Sequence, residues 1–161
     1  MDIYLVRHGI AGERDPERWP DDSLRPLTKK GIRRFERAAS GLVSLVPDVD
    51  AVLSSPYKRA WQTASILEDA GWPSPLRFDA LVRGEPGSLI GALQPYSELD
   101  AIALVGHEPH ISRFAASLLG RAPWDELKKG GVVKLSLPHL SLSGGATLVW
   151  YLPPRVLRRL R

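Results

Sequence analysis

Three short runs of consecutive apolar residues constrain this chain most: Ile3-Tyr4-Leu5-Val6, Ala51-Val52-Leu53 and Ala101-Ile102-Ala103-Leu104-Val105. None is long enough to be a helix and none alternates with polar residues. Each therefore suits a strand covered on both faces, as in a parallel sheet with helices on either side. The stretches between them carry helical periodicity. Thr28 is an N-cap candidate for a helix reaching Val46, with Ile32, Phe35, Ala39, Leu42, Val43 and Val46 on one face. A second helix spans Ala60 to Ala70 and ends at Gly71, a short one covers Ser88 to Leu93, and Pro109 opens another carrying Ile111, Phe114, Ala115, Leu118 and Leu119 up to Gly120. Leu76–Phe78, Val132–Leu137 and Ala146–Leu152 read as further strands, the last two joined through a turn at Ser143 to Gly145. The pattern predicts an α/β fold: a three-layer sandwich with a mixed, mostly parallel central sheet flanked by helices. Ala11 to Pro26, rich in charge, proline and aspartate, is expected to be a long loop near the functional end.

The chemistry sits where the strands stop. Arg7-His8-Gly9 follows the first run directly, and the third run ends in Gly106-His107. Ligands of open α/β sheets collect at the carboxyl ends of strands, and a fixed cation beside an imidazole suits an anion such as phosphate. The second run leads into Ser54-Ser55-Pro56-Tyr57-Lys58-Arg59. If Pro56 opens a helix, Arg59 falls in its first turn, where the macrodipole is already positive, so the arginine needs a compensating anion. Phosphoryl transfer spreads negative charge over three oxygens and asks for positioning and charge stabilisation, which the planar forks of Arg7 and Arg59 supply. A neutral imidazole can attack in line and carry the phosphoryl group covalently. The residues alone leave open which of His8 and His107 attacks and which binds an oxygen.

The blocks Leu5-Val6-Arg7-His8-Gly9, Arg25-Pro26-Leu27-Thr28-Lys29-Lys30-Gly31, Ser54-Ser55-Pro56 through Thr63-Ala64, and Val105-Gly106-His107-Glu108-Pro109-His110 occur in this order. In that order they resemble the histidine phosphatase (phosphoglycerate-mutase-like) superfamily. Within it, the short length and the Leu-Arg-Pro-Leu-Thr form of the second block are similar to the SixA-type phosphohistidine phosphatases. The resemblance implies His8 as nucleophile, His107 as its oxygen-binding partner, Arg7 and Arg59 as phosphate ligands, and Arg25 as a third phosphate contact. It also implies a metal-independent enzyme without cofactor, acting on a phosphohistidine-bearing protein domain in signal transduction. Larger members of the superfamily use a carboxylic acid to protonate an alcohol leaving group. In the corresponding interval Glu85 is the candidate, but its surroundings depart from their motif. An alkoxide leaves poorly unprotonated, whereas imidazole is a weak base, so a site with little general acid favours phosphohistidine. The alternatives are a small-molecule phosphomonoesterase of the same fold, with Glu85 as its acid, and a non-catalytic phosphate or phosphoprotein sensor.

Composition narrows the field. A chain of 161 residues with 43% hydrophobic content can bury one substantial core and is expected to be a single domain over 1–161, with a basic C-terminal tail at 153–161. No apolar run approaches the roughly 20 residues that cross a bilayer, and the strand beginning beside Asp2 leaves no room for a signal peptide, so a cytoplasmic location without membrane contact is expected. There are no cysteines, which excludes disulfides and thiol chemistry. Much of the net charge of +4 belongs to Arg155, Arg158, Arg159 and Arg161; without them the basic residues balance the 18 acidic ones. The tail reads as a solvated terminal helix, with an acidic partner or polyanion as the alternative. No aromatic residues interleave with its arginines, which argues against nucleic acid. His107-Glu108-Pro109-His110 has histidines three apart around a proline and is not a zinc motif. His110 is expected to make a polar contact at a helix start, and Trp19 and Trp124 to line the entrance.

Overall fold

The computed structural model describes residues 1–122 and 126–160. Six strands form one sheet: β1 (Asp2–Arg7), β2 (Ala51–Ser54), β3 (Pro75–Arg77), β4 (Ala101–Gly106), β5 (Val132–Ser136) and β6 (Thr147–Leu152), in the spatial order β3-β2-β4-β1-β5-β6. The first four in that order run parallel, while β5 is antiparallel to both β1 and β6. The mixed, mostly parallel sheet expected from the apolar runs is what forms. Four consecutive residues of β1, Ile3 to Val6, are buried because helices cover both faces.

On one face lie α1 (Lys29–Leu45), α2 (Lys58–Asp69) and α6 (Pro154–Leu157); on the other lie α3 (Ala80–Arg83), α4 (Pro86–Leu93) and α5 (His110–Leu118). Side chains of β1 alternate between the two cores, with Tyr4 and Val6 in one and Ile3 and Leu5 in the other. Thr28 caps α1 as expected, its Oγ1 accepting from the Gly31 N–H at 2.9 Å. At the other end Trp72 Nε1 donates to the Val46 carbonyl at 2.8 Å, so a buried indole satisfies a group beyond the last turn.

Some features differ from the sequence reading. The β3 strand begins one residue earlier than expected, and α3 is a single turn whose four residues are too few to show a period. The basic tail is not simply solvated: α6 docks on α1 through Leu157, which is fully buried, a gain of about 1.5–3 kcal/mol for a leucine. Gly41 makes that docking possible. A Cβ there would lie 1.9 Å from the Leu157 carbonyl oxygen, so only a residue without a side chain lets the α6 backbone approach. No described helix is long and apolar enough to cross a membrane.

Candidate active site

The register of three parallel strands assembles the site. Arg7 pairs with Gly106 across β1 and β4, and Ser54 with Val105 across β2 and β4. The next residue of each strand, His8, His107 and Ser55, therefore emerges at the same edge. The ladder continues one step further, with His8 N–H on the Gly106 carbonyl at 3.1 Å and Ser55 N–H on that of Val105 at 3.0 Å. The His8 and His107 rings come to lie 5.3 Å apart between centroids. They line a cleft of about 500 Å³ with Arg7, Arg14, Asp22, Arg25, Tyr57, Arg59, Val82, Glu108, His110 and Lys129.

His8 is buried and oriented. Its Nδ1 lies 2.7 Å from the Gly9 carbonyl, which can only accept, so the proton sits on Nδ1 and Nε2 keeps its lone pair. Gly9 is held in turn by Thr63, whose Oγ1 accepts from Gly9 N–H at 3.0 Å and donates to the Arg59 carbonyl at 2.7 Å. Burial, followed by the charges of Arg59, Arg7 and Arg25, pushes His8 down to a pKa of about 3 against the pull of the Gly9 bond. The imidazole is neutral at any physiological pH, as a nucleophile needs.

His107 is lowered to about 2, again mainly by burial, then by His8 and Arg59. Its Nε2 lies 2.8 Å from Ser55 Oγ, which itself accepts from the Tyr57 N–H at 3.3 Å. With Ser55 donating its hydroxyl proton to His107 Nε2 and accepting from Tyr57, the ring proton falls on Nδ1. That nitrogen is buried and has no partner, as are Arg7 Nε, Arg59 Nε and His110 Nδ1. Unpaired buried polar atoms are costly, and four on residues that border one cleft call for an anion.

Arg59 does lie in the first turn of α2, and the chain supplies a compensating anion that the sequence reading did not find. Asp22, in a 3₁₀ turn over Asp22–Leu24, meets Arg59 Nη2 at 3.0 Å and Arg25 Nε at 2.8 Å, and its carbonyl accepts from Arg59 Nη1 at 2.8 Å. Burial alone would raise the Asp22 carboxyl, but the Arg25 hydrogen bond and the charges of Arg59, Arg25 and Arg14 outweigh it, leaving the pKa below the ordinary 3.8. Arg25 also donates to the Gly12 carbonyl at 2.7 Å, which ties the loop expected over Ala11 to Pro26 to the cleft. The available signal for Asp22 was its spacing three residues before Arg25. Ser55 and Thr63 lay inside the third block without any role.

Arg7 is fixed by the segment before β5. It donates to the Leu127 carbonyl and faces Glu126 at 3.4 Å, while Leu127 N–H donates to Glu108 Oε1 at 2.9 Å. Glu108 also accepts from Ser112 Oγ at 2.7 Å, so its carboxylate caps α5 and holds the Arg7 segment. Glu85 is not brought to the cleft. Gly84 ends α3 in the left-handed conformation, with φ +57°, and the turn leaves Glu85 exposed as the N-cap residue of α4. His110 starts α5 and lines the cleft against Gly84, but the polar contact expected of it does not form, since its buried Nδ1 has no hydrogen-bond partner. Trp19 is absent from the cleft wall, and Trp124 lies outside the described residues. Among the described residues, no three histidine, cysteine or carboxylate side chains gather as metal ligands.

Known proteins share both sequence and fold with this chain. An uncharacterized protein of Picosynechococcus sp. is 37% identical over 141 residues, 84% of this chain and 84% of that protein. The phosphohistidine phosphatase SixA of Escherichia coli is 26% identical over 162 residues, 96% of this chain and 94% of SixA. The structure of the protein histidine phosphatase SixA complexed with tungstate superposes with a TM-score of 0.83 at 25% identity, covering 96% of this chain and 98% of that one. The model of the histidine phosphatase superfamily (branch 1) matches residues 3–83, the segment that carries β1, His8, Arg25 and Arg59. Half the chain thus fits the family model and nearly all of it fits the SixA fold: this protein belongs to the histidine phosphatase superfamily and is a phosphatase.

Proposed function

We propose that this phosphatase hydrolyses phosphohistidine carried on a protein domain, through a covalent phosphohistidine on His8. One observation carries the reading: a neutral nucleophile faces a cleft in which, among the described residues, no carboxyl group is free to act as an acid. Asp22 is held ionised by two arginines, Glu108 is engaged by Ser112 and Leu127, and Glu85 stands exposed outside. Such a site suits a leaving group that departs without general-acid help.

In the first step His8 Nε2 bonds to phosphorus as the substrate P–N bond breaks. The leaving nitrogen takes the electron pair and departs as neutral imidazole when its other ring nitrogen carries a proton. Arg7, Arg59 and Arg25 hold the non-bridging oxygens, and His107 Nδ1–H donates to one of them. In the second step water bonds to phosphorus and the P–Nε2 bond breaks, its proton passing to the departing phosphate. Both steps use the same cations, because the three oxygens hold their places while the phosphorus inverts. Arg25 must share its guanidinium between Asp22 and the phosphate.

The test is side-by-side turnover, in chelator, of a phosphohistidine-bearing domain and of small phosphate monoesters by wild type, His8→Ala and Glu85→Gln. The expected result is preference for the phosphohistidine, its loss in His8→Ala, an acid-labile phosphoenzyme on quenching, and no change in Glu85→Gln. Preference for monoesters together with loss in Glu85→Gln would replace this reading with the small-molecule phosphomonoesterase. Turnover retained by His8→Ala would remove His8 as nucleophile.

A further inference from the structure

A second cavity, of about 360 Å³, opens beside the catalytic cleft behind Gly9. Its floor is apolar, formed by Ile10, Phe35, Pro153 and Pro154, and its rim carries Arg34, Lys128, Lys129, Arg155 and Arg158. Among the described residues no acidic side chain lines it, and none of the five cations makes an ion pair. They come from three separate elements. Arg34 lies on α1, the lysines on the segment before β5, and Arg155 and Arg158 stand three apart beside the buried anchor Leu157. Docking α6 on α1 thus brings like charges together with no acidic side chain among the described lining residues to neutralise them. Arg158 registers the crowding: burial first, then Arg34, Arg37 and Arg155, hold its pKa below the ordinary arginine value.

The groove adjoins the catalytic site. Lys129 lines both cavities, and Gly9, in the groove wall, is the residue that orients His8. A small polyanion would fill the groove alone. A polypeptide with a phosphorylated side chain in the cleft would run past Lys129, setting flanking carboxylates against the arginines and apolar side chains against Ile10 and the two prolines. We propose that this groove docks an acidic segment of the phosphorylated protein substrate. The inference rests on the reading that the substrate is a protein, and it adds what that protein must present: carboxylates beside the phosphorylated residue.

The experiment uses fluorescein-labelled glutamate-rich and serine-rich peptides without phosphate, followed by anisotropy, and the same peptides carrying a central phosphohistidine, followed by turnover. Arg34→Gln/Arg155→Gln/Arg158→Gln removes the rim, and Arg34→Gln/Arg155→Gln, which alters only exposed positions, serves if the triple variant does not fold. Wild type should bind the acidic peptide and not the serine peptide, and the triple variant should bind it roughly tenfold more weakly at low salt, the gap closing as salt is raised. KM for the acidic phosphohistidine peptide should rise in the variants while turnover of a small monoester stays unchanged. Equal binding by wild type and variants, or no binding by wild type, would overturn the proposal. So would displacement of the bound peptide by a nucleoside triphosphate at far lower concentration, since the groove would then be a small-polyanion site. If the acidic peptide binds through the rim but no phosphohistidine peptide is hydrolysed, the substrate reading fails and acidic-segment docking stands.

Discussion

Burying two neutral histidines makes folding sensitive to mild acid, and the size of the effect follows from their pKa values. In the unfolded chain each imidazole has the ordinary value of 6.5; in the folded chain His8 is at about 3 and His107 at about 2, both lowered chiefly by burial. Folded values below unfolded ones mean stability fully present above pH 6.5 and lost progressively as pH falls toward the folded values. At pH 5 the unfolded state binds nearly one proton at each site and the folded state almost none, so each histidine removes about 2 kcal/mol relative to pH 8. Both are still neutral in the folded protein at that pH, so their mutual repulsion does not enter. Asp22 does not contribute in this window, because its folded pKa is lowered from 3.8 and its stabilisation is lost only in stronger acid. The pair together predicts a fall of about 4 kcal/mol, a large part of the ~5–15 kcal/mol typical of a domain. Urea unfolding at several pH values measures it, with His107→Asn expected to show about half the loss. An unchanged pH dependence in that variant, or a His8 proton resonance titrating near 6.5, would refute the reasoning.

Three further predictions follow from single contacts. Ser55→Ala removes the hydroxyl that sets the His107 tautomer; it should lower kcat roughly ten- to hundredfold, the equivalent of about 1–3 kcal/mol, and an unaltered kcat would dismiss the hydrogen-bond chain. Asp22→Asn takes away the carboxylate that competes for Arg25 and Arg59, so inorganic phosphate should inhibit several-fold more tightly, by about 1 kcal/mol; an unchanged inhibition constant would show that Asp22 does not compete. In Gly41→Ala the new methyl meets the Leu157 carbonyl oxygen and should cost about 1–3 kcal/mol, whereas in Gly91→Ala nothing lies within 4 Å and the helix should gain about 0.5–1 kcal/mol. Paired melting curves read both, and equal effects would contradict the docking of α6.

The layer order of the fold was legible because it depends on local pattern. Unbroken apolar runs can only be doubly covered strands, and the face from Ile32 to Val46 can only be an amphipathic helix, so Thr28 and Gly71 marked real boundaries. The strand-end positions of His8 and His107 were legible for the same reason, since each follows its apolar run directly. What local pattern could not give was register. Only the pairing of Arg7 with Gly106 and of Ser54 with Val105 brings His8, His107 and Ser55 to one edge, and that pairing is settled by packing across the whole sheet.

Charge was legible in amount and illegible in partnership. The sequence shows an arginine at the start of α2, an aspartate pair before Arg25 and a basic tail; it cannot show that Asp22 closes on Arg59, 37 residues away. The same holds for Glu85 and Glu108. The sequence offered Glu85 as a candidate acid in surroundings that depart from the larger enzymes' motif; the left-handed turn at Gly84 leaves it outside, and Glu108 spends its carboxylate on Ser112 and Leu127. The tail looked solvated because its charges are conspicuous, yet Leu157, with Leu160 beside it, and the missing side chain of Gly41 tie it to α1. Periodicity and strand-end chemistry are properties of neighbours along the chain, so the sequence determined the sheet, its helices and the phosphate-seeking histidines and arginines. Ion pairs, tautomers and the burial that keeps both imidazoles neutral depend on residues distant in sequence, and only the tertiary structure decided them.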